Sequence, residues 1–180
     1  MTVQALRERR IDTLAGLLDA YGREIQGVAY LILRDRALAE DVTIETLLTA
    51  FERGGSIREE AAVRPWLLRV AANKALTVRR SGARIANLSV LPESAAAGDL
   101  ASEASDRVAL LQAVGRLPIQ MRAAVVLRYY ADLPVEGVAA ALGKSPNTIK
   151  AQLQTALDRL RRSVGDATVD PTSAVEARHA

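Results

Sequence analysis

The chain has 180 residues, 49% of them apolar and 25% charged, which allows one packed domain or two small ones and excludes a disordered chain. No cysteine is present, which excludes disulfides and thiolate metal sites and suits a reducing compartment. The formal net charge of +3 is uneven, being +2 over residues 1–80, −2 over 81–109, +5 over 110–162 and −2 over the remainder.

The opening stretch, MTVQALRERRID, has no long apolar run behind its charges, so no signal peptide is expected. No later stretch approaches the length of a membrane span, and a cytoplasmic protein without membrane insertion is expected. Residues 5–33 carry Leu14, Leu17, Leu18, Tyr21, Ile25, Val28, Ala29 and Ile32 at helical intervals, with Gly22 and Gly27 as soft points. This predicts one bent helix or two short ones, with the stripe in the core.

Asp35 suits the N-cap of the next helix, RALAEDVTIETLLTAFERG, which closes at Gly54 and Gly55. At roughly 100° per residue, Leu38, Val42, Thr46, Thr49 and Ala50 share one side. Glu40, Asp41 and Glu45 are interleaved with Ile44, Leu47, Leu48 and Phe51 over the rest. A helix that is apolar on both sides is either the centre of a bundle or binds a partner outside its own domain. The carboxylates have no His or Cys companion, so neither a metal nor acid–base catalysis is indicated.

The segment GGSIREEAAVRPWLLRVAANKALTVRR begins as a polar loop and becomes helical at Pro65, whose ring suits a first helical turn. Trp66, Leu67, Val70 and Ala71 form its expected buried face. Arg69, Asn73 and Arg80 lie on another stripe, with Thr77 beside it and Lys74 and Arg79 nearby. Such a row can grip a nucleic-acid backbone while Asn73 hydrogen-bonds a base, and the same periodicity fits a solvated face. Residues 81–106 lack aromatics, are rich in Ala, Ser and Gly, and read as a linker. RVALLQAVGRLPIQMRAAVVLRYYADL then resumes as two helices divided near Leu117 and Pro118.

The stretch VEGVAAALGKSPNTIKAQLQTALDRLRR is the most restrictive in the chain. A first helix over 135–142 turns Val135, Val138, Ala139 and Leu142 to one face, and Gly143 ends it in the left-handed conformation. Ser145 and Pro146 restart the chain as N-cap and first helical residue, and Ile149, Leu153, Ala156, Leu157 and Leu160 continue an inward stripe. A small residue at the crossing (Ala139), a turn glycine and an apolar wedge (Ile149) are the requirements of a helix-turn-helix, although an ordinary helical hairpin carries the same caps. As a major-groove reader, the second helix would present Ser145, Asn147, Thr148, Lys150 and Gln152 to phosphates and base edges. The positive charge gathered here favours a polyanion. SVGDATVDPTSAVEARHA reads as a mobile tail with an isolated His179.

Taken together, the order of these elements resembles a bacterial RNA polymerase sigma factor of the extracytoplasmic-function (ECF) group, over about residues 14–162. In the first half the resemblance rests on YGREIQGVAYLILRDRALAEDVTIETLLTAF followed by RPWLLRVAANKALTVRR, and in the second on LQAVGRLPIQMRAAVVLRYYADLPVEGVAAALGKSPNTIKAQLQTALDRLRR. It implies an all-α fold of two small helical domains joined by a flexible linker, the C-terminal one containing the helix-turn-helix. The implied division is a region 2-like domain over 1–80, a linker over 81–106, a region 4-like domain over 107–162 and a tail over 163–180. The implied partners are core RNA polymerase, promoter DNA and an anti-sigma factor. No cofactor is needed, because polymerase performs the bond chemistry.

In residue terms, the resemblance implies that the AEDV helix docks on the polymerase clamp through Asp41, Ile44, Glu45 and Leu48. Asn73 would recognise a base of the minus-ten element, with Arg69, Lys74, Arg79 and Arg80 on the backbone, and the SPNTIK helix would enter the minus-thirty-five element. The linker would thread toward the RNA exit path. Ile44 stands where glutamine is usual, Thr77 where aspartate is common, and Gln152 and Thr155 where further arginines are usual. Each missing phosphate contact lowers affinity and flattens the salt dependence by about one unit of slope. Three alternatives remain at this point: a polymerase-independent helix-turn-helix regulator, a degenerate sigma-like protein that reads DNA weakly, and, least favoured, a small helical enzyme, for which the sequence offers no glycine-rich phosphate loop, His or Cys constellation, or nucleophile with a base.

Overall fold

A computed structural model describes Leu6 and residues 11–86 and 102–167, and among these there are helices and turns but no strand. Helix α1 (Ile11–Leu33) runs unbroken through both glycines. Leu17, Ile25, Val28, Ala29 and Ile32 are buried along it, but Leu18 is 53% exposed. The Leu18 side chain lies along the helix over Gly22, where a Cβ would come within 2.8 Å of its Cδ1, so it covers the glycine instead of entering the core.

Arg34 turns the chain in a left-handed conformation (φ 61°). Asp35 then caps α2 (Arg36–Arg53), its carboxylate accepting the Leu38 N–H at 3.0 Å. Ala39, Val42, Thr43, Thr46, Leu47 and Ala50 are buried. The two buried threonines are satisfied locally, each hydroxyl donating to the carbonyl four residues back at 2.7 Å. Leu47, expected on the outer surface, is only 5% exposed and packs with Leu17, Ile25 and Ala50 in the first unit's own core. Gly54 follows α2 in a right-handed conformation (φ −64°), buried against Leu6.

Two short 3-10 turns (Gly54–Ser56 and Glu60–Ala62) lead into α3 (Val63–Ala86). It starts two residues before Pro65, which still occupies the first turn, where its missing N–H costs no bond. The buried face differs from that expected, since Trp66 and Val70 are half-buried. The reason is that α3 is packed on two sides. Val63, Leu67 and Ala71 belong to the first unit's core, whereas Leu68, Ala72, Ala75 and Leu76 belong to a larger cluster that continues into the second unit.

The second unit comprises α4 (Ser102–Arg116), α5 (Ile119–Val125), a π-helical turn (Val126–Tyr130), α6 (Val135–Leu142) and α7 (Pro146–Ala167). Helices therefore enter the span read as a linker from both ends, and residues 87–101 lie outside the described residues, as does 168–180 with His179. The larger cluster joins Val28, Ile32, Val42 and Leu68 of the first unit to Ala124, Leu127, Leu133, Val138 and Ile149 of the second. The fold is all-helical in two units, the C-terminal one carrying the helix-turn-helix.

Candidate nucleic-acid interface

The helix-turn-helix is built as its local chemistry dictates. Gly143 adopts φ 64°, ψ 39°, and its N–H and that of Lys144 both turn back to the Ala139 carbonyl, the latter at 3.0 Å. Ser145 Oγ accepts the Thr148 N–H at 3.1 Å and lies 2.8 Å from the Thr148 hydroxyl. Ala139 at the crossing is 3% exposed and Ile149 is fully buried, which fixes the angle between α6 and α7.

At the leading end of α7, Ser145, Asn147, Thr148 and Lys150 are exposed together. Gln152 is not among them: it is half-buried, and its Oε1 is buried with no hydrogen-bond partner. The outward row continues instead through Ala151, Gln154 and Thr155. Gln154 was legible as outward, since a stripe at 149, 153, 156 and 160 leaves 147, 150, 151 and 154 on the other side.

A second surface lies on α3. Arg69, Asn73 and Arg80 are exposed, while Lys74 and Arg79 are partly buried. Arg69, Asn73 and Lys74 line one wall of a groove of about 1160 Å³ between α2 and α3, with Trp66 at its side and Glu45 opposite. Lys74 Nζ pairs with Glu45 Oε2 across it at 3.0 Å. The Thr77 hydroxyl donates to the Asn73 carbonyl at 2.9 Å. Asn73 directs one of its two amide N–H groups toward the second unit, donating from Nδ2 to the Ala141 carbonyl of α6 at 3.0 Å.

A third surface is the outer strip of α2. Asp41, Ile44, Glu45 and Leu48 are all exposed, and the spacings 41/44, 41/45, 44/48 and 45/48 are three or four residues, so they share a face. Ile44 is 58% and Leu48 46% exposed, a large apolar outlay for a helix whose opposite side is already buried. Phe51, expected with them, is half-buried. Among the described residues no group of three His, Cys, Asp or Glu side chains is placed to hold a metal ion, and no helix is long and apolar enough to cross a membrane.

These units have counterparts in known proteins. The Sigma-70 region 2 family matches residues 17–85, and the Sigma-70 region 4 family matches residues 107–160. The ECF RNA polymerase sigma factor SigM of Mycobacterium tuberculosis is 30% identical over 149 residues, covering 83% of this chain and 76% of SigM. SigL of the same organism is 31% identical over 163 residues, covering 87% and 91%, and CarQ of Myxococcus xanthus is 26% identical over 171 residues, covering 93% and 98%. Among solved structures, the sigma factor RpoE of Bartonella quintana, in complex with the anti-sigma factor NepR, shares the fold with a TM-score of 0.73 at 22% identity, over 86% of this chain and 98% of RpoE. CnrH, in complex with the cytosolic domain of CnrY, does so with a TM-score of 0.66 at 18% identity, over 92% and 96%. The two matched regions coincide with the two helical units, and the chain belongs to the ECF RNA polymerase sigma factors, which bind core RNA polymerase and direct promoter-specific transcription initiation.

Proposed function

We propose that the three surfaces divide the work of initiation among them. The α2 strip of Asp41, Ile44, Glu45 and Leu48 docks on core polymerase. Arg69, Asn73, Lys74, Arg79 and Arg80 engage the minus-ten element, Asn73 through a base and the cations through phosphates. Ser145, Asn147, Thr148 and Lys150 read the minus-thirty-five element from α7, and Gln152 supports them from its half-buried place. The division of the chain is a region 2-like domain over 1–80 and a region 4-like domain over 107–162, joined by the span between. The protein works in the cytoplasm, contributes no catalytic group and is held by an anti-sigma factor, as RpoE and CnrH are found with NepR and CnrY.

The observation that carries this reading is the α2 strip. Two exposed apolar side chains framed by two carboxylates, on a helix already buried behind, leave a face suited to a partner. Size exclusion with core polymerase tests it: the parent is expected to co-elute, and the Asp41→Arg, Glu45→Arg double variant, folded by circular dichroism, is expected not to. Equal co-elution of both would remove the strip from the interface. A second observation tempers the DNA side. With Gln152 turned inward and Thr155 donating to the Ala151 carbonyl at 2.9 Å, α7 offers Lys150 as the one cation in its first two turns, so the minus-thirty-five contact is weak and only shallowly salt-dependent.

A further inference from the structure

Gln154 stands on the outward face of α7 with its amide held in one orientation. An α-helix turns by about 100° per residue, so the buried stripe of Ile149, Leu153, Ala156 and Leu160 fixes the direction that points straight away from the protein. Ala151 and Asp158 lie within about 10° of that direction, Asn147 and Gln154 within about 50°, and Lys150 about 90° to one side. A helix seated in the major groove turns its outermost stripe to the base edges and its flanks to the phosphate walls. Lys150 is therefore placed for phosphate, and Asn147, Ala151 and Gln154 for bases, a conclusion that rests on the promoter role proposed above for α7. Thr155 shares the outward side, but its hydroxyl donates to the Ala151 carbonyl.

Gln154 Nε2 donates to Asp158 Oδ1 at 3.3 Å, one turn further along α7. A carboxylate only accepts, so the nitrogen end of the amide must face Asp158. The same Oδ1 accepts from Arg161 at 2.9 Å, which anchors the carboxylate and offsets its charge on a face meant for DNA. A Gln–Asp pair four residues apart also steadies an isolated helix, but α7 is already held by its buried stripe. The tied amide keeps one N–H and Oε1 for a partner. One donor beside one acceptor is the complement of adenine, whose major-groove edge offers N7 as acceptor and the N6 amino group as donor. Guanine offers two acceptors, N7 and O6, and would need both N–H groups, one of which Asp158 holds. The tie thus discriminates between the two purines. Arginine is the usual partner of guanine, and α7 has none before Arg159.

We propose that Gln154 is the specificity-determining residue of α7, taking one adenine bidentately in the major groove, and that Asp158 is its positioning residue. The Ala151 methyl beside it suits the methyl group of a neighbouring thymine.

The test uses the full-length protein bound to core polymerase and a pool of duplexes of random sequence, from which the bound duplexes are sequenced. The parent is expected to enrich adenine at one base pair of the minus-thirty-five element. Gln154→Ala is expected to lower that preference about tenfold and to leave every other position unchanged. Gln154→Arg is expected to move it to guanine at the same pair. Asp158→Ala is expected to relax adenine over guanine severalfold without lowering overall affinity, because it removes a negative charge from the DNA side. Asp158→Asn keeps an acceptor and is expected to retain the preference. A merely structural Asp158 would weaken all sequences alike. Alanine is the best helix former, so the fold survives, and circular dichroism checks that it does.

A Gln154→Ala variant with the preferences of the parent overturns the proposal, and if Asp158→Ala alone changes a preference, Asp158 is itself the base reader. An Asp158→Ala variant that still prefers adenine as the parent does removes the positioning role. Lys150→Ala separates this proposal from the reading beneath it. If that variant weakens all duplexes alike while Gln154→Ala changes no position, α7 lies on DNA and Gln154 alone is misassigned. If neither changes anything, the promoter role of α7 falls, and the proposal with it.

Discussion

Replacing Gly143 with alanine separates two reasons for a glycine in this turn. The residue sits at φ 64°, ψ 39°, and a Cβ built there meets nothing within 4 Å, so the cost is conformational and not steric. Holding an L-residue in the left-handed region costs about 1–2 kcal/mol. Alanine also narrows the unfolded ensemble, which returns about 0.4–1 kcal/mol. The net loss is then about 1 kcal/mol, or about 2–4 °C in midpoint for a chain of this size. Asparagine tolerates the left-handed region, so Gly143→Asn should lose about half as much, and Gly143→Val more than alanine, because β-branched residues fit that region poorly. Thermal unfolding followed by far-ultraviolet circular dichroism measures all three. Trp66 fluorescence, which reports the first unit, serves as a control. An alanine variant as stable as the parent, or an asparagine variant worse than alanine, would refute the conformational account.

Ile149 is fully buried at the wedge, and Ile149→Ala should cost about 3 kcal/mol of stability in urea unfolding, within the usual range for a large-to-small core change. Asp35→Ala removes the acceptor of the Leu38 N–H and should cost about 1 kcal/mol in the same assay. The Lys74–Glu45 pair leaves Glu45 58% exposed at the side chain, so a double-mutant cycle should give a coupling below about 1 kcal/mol that fades with added salt. A coupling of several kcal/mol would mean the groove is drier than its exposure indicates. Lys150→Ala should reduce the salt slope of promoter-duplex binding by about one unit, and an unchanged slope would take Lys150 off the phosphates.

Where local chemistry fixes a boundary, the sequence was readable to the residue. Gly143 tolerates the left-handed turn that other residues resist, Ser145 is a favoured N-cap and Pro146 a favoured first helical residue, and α6, the turn and α7 fall where those preferences require. Asp35 placed the start of α2 for the same reason. What resisted reading depended on what lies at a given angle around a helix. Periodicity put Leu18 on the apolar stripe and Leu47 outside it, but Gly22 drew Leu18 onto the helix surface, and the first unit's core reached Leu47. The two buried sides of α3 could not be told from one, because Leu68, Ala72, Ala75 and Leu76 owe their burial to a unit whose docking no local pattern encodes. Arg122 was unremarkable in sequence, yet it is 8% exposed and bridges to Ile32, 90 residues away.

The seam between the two units mixes small and large apolar side chains. Helices α3 and α6 pack directly, and the small residues they bring to the shared cluster include Ala72, Ala75, Ala139 and Ala141. Exposing a leucine-sized side chain costs about 1.5–3 kcal/mol, and an alanine exposes far less area. The side chains that cross it, Asn73, Arg64 and Arg122, donate to the Ala141, Ala131 and Ile32 carbonyls, each bond being worth the modest net energy of a hydrogen bond exchanged with water. The seam is thus small-residue where α3 meets α6 and larger where Val28, Ile32 and Leu68 share a cluster with Leu127, Leu133 and Val138. The same α3 that carries it also forms the wall of the groove, and Lys74 on that wall is paired to Glu45 of the α2 strip. A partner that drew Glu45 away would leave Lys74 unpaired on the helix that packs against α6. The α2 strip and the α3 row thus share one part-exposed ion pair, whose worth is small and falls with added salt.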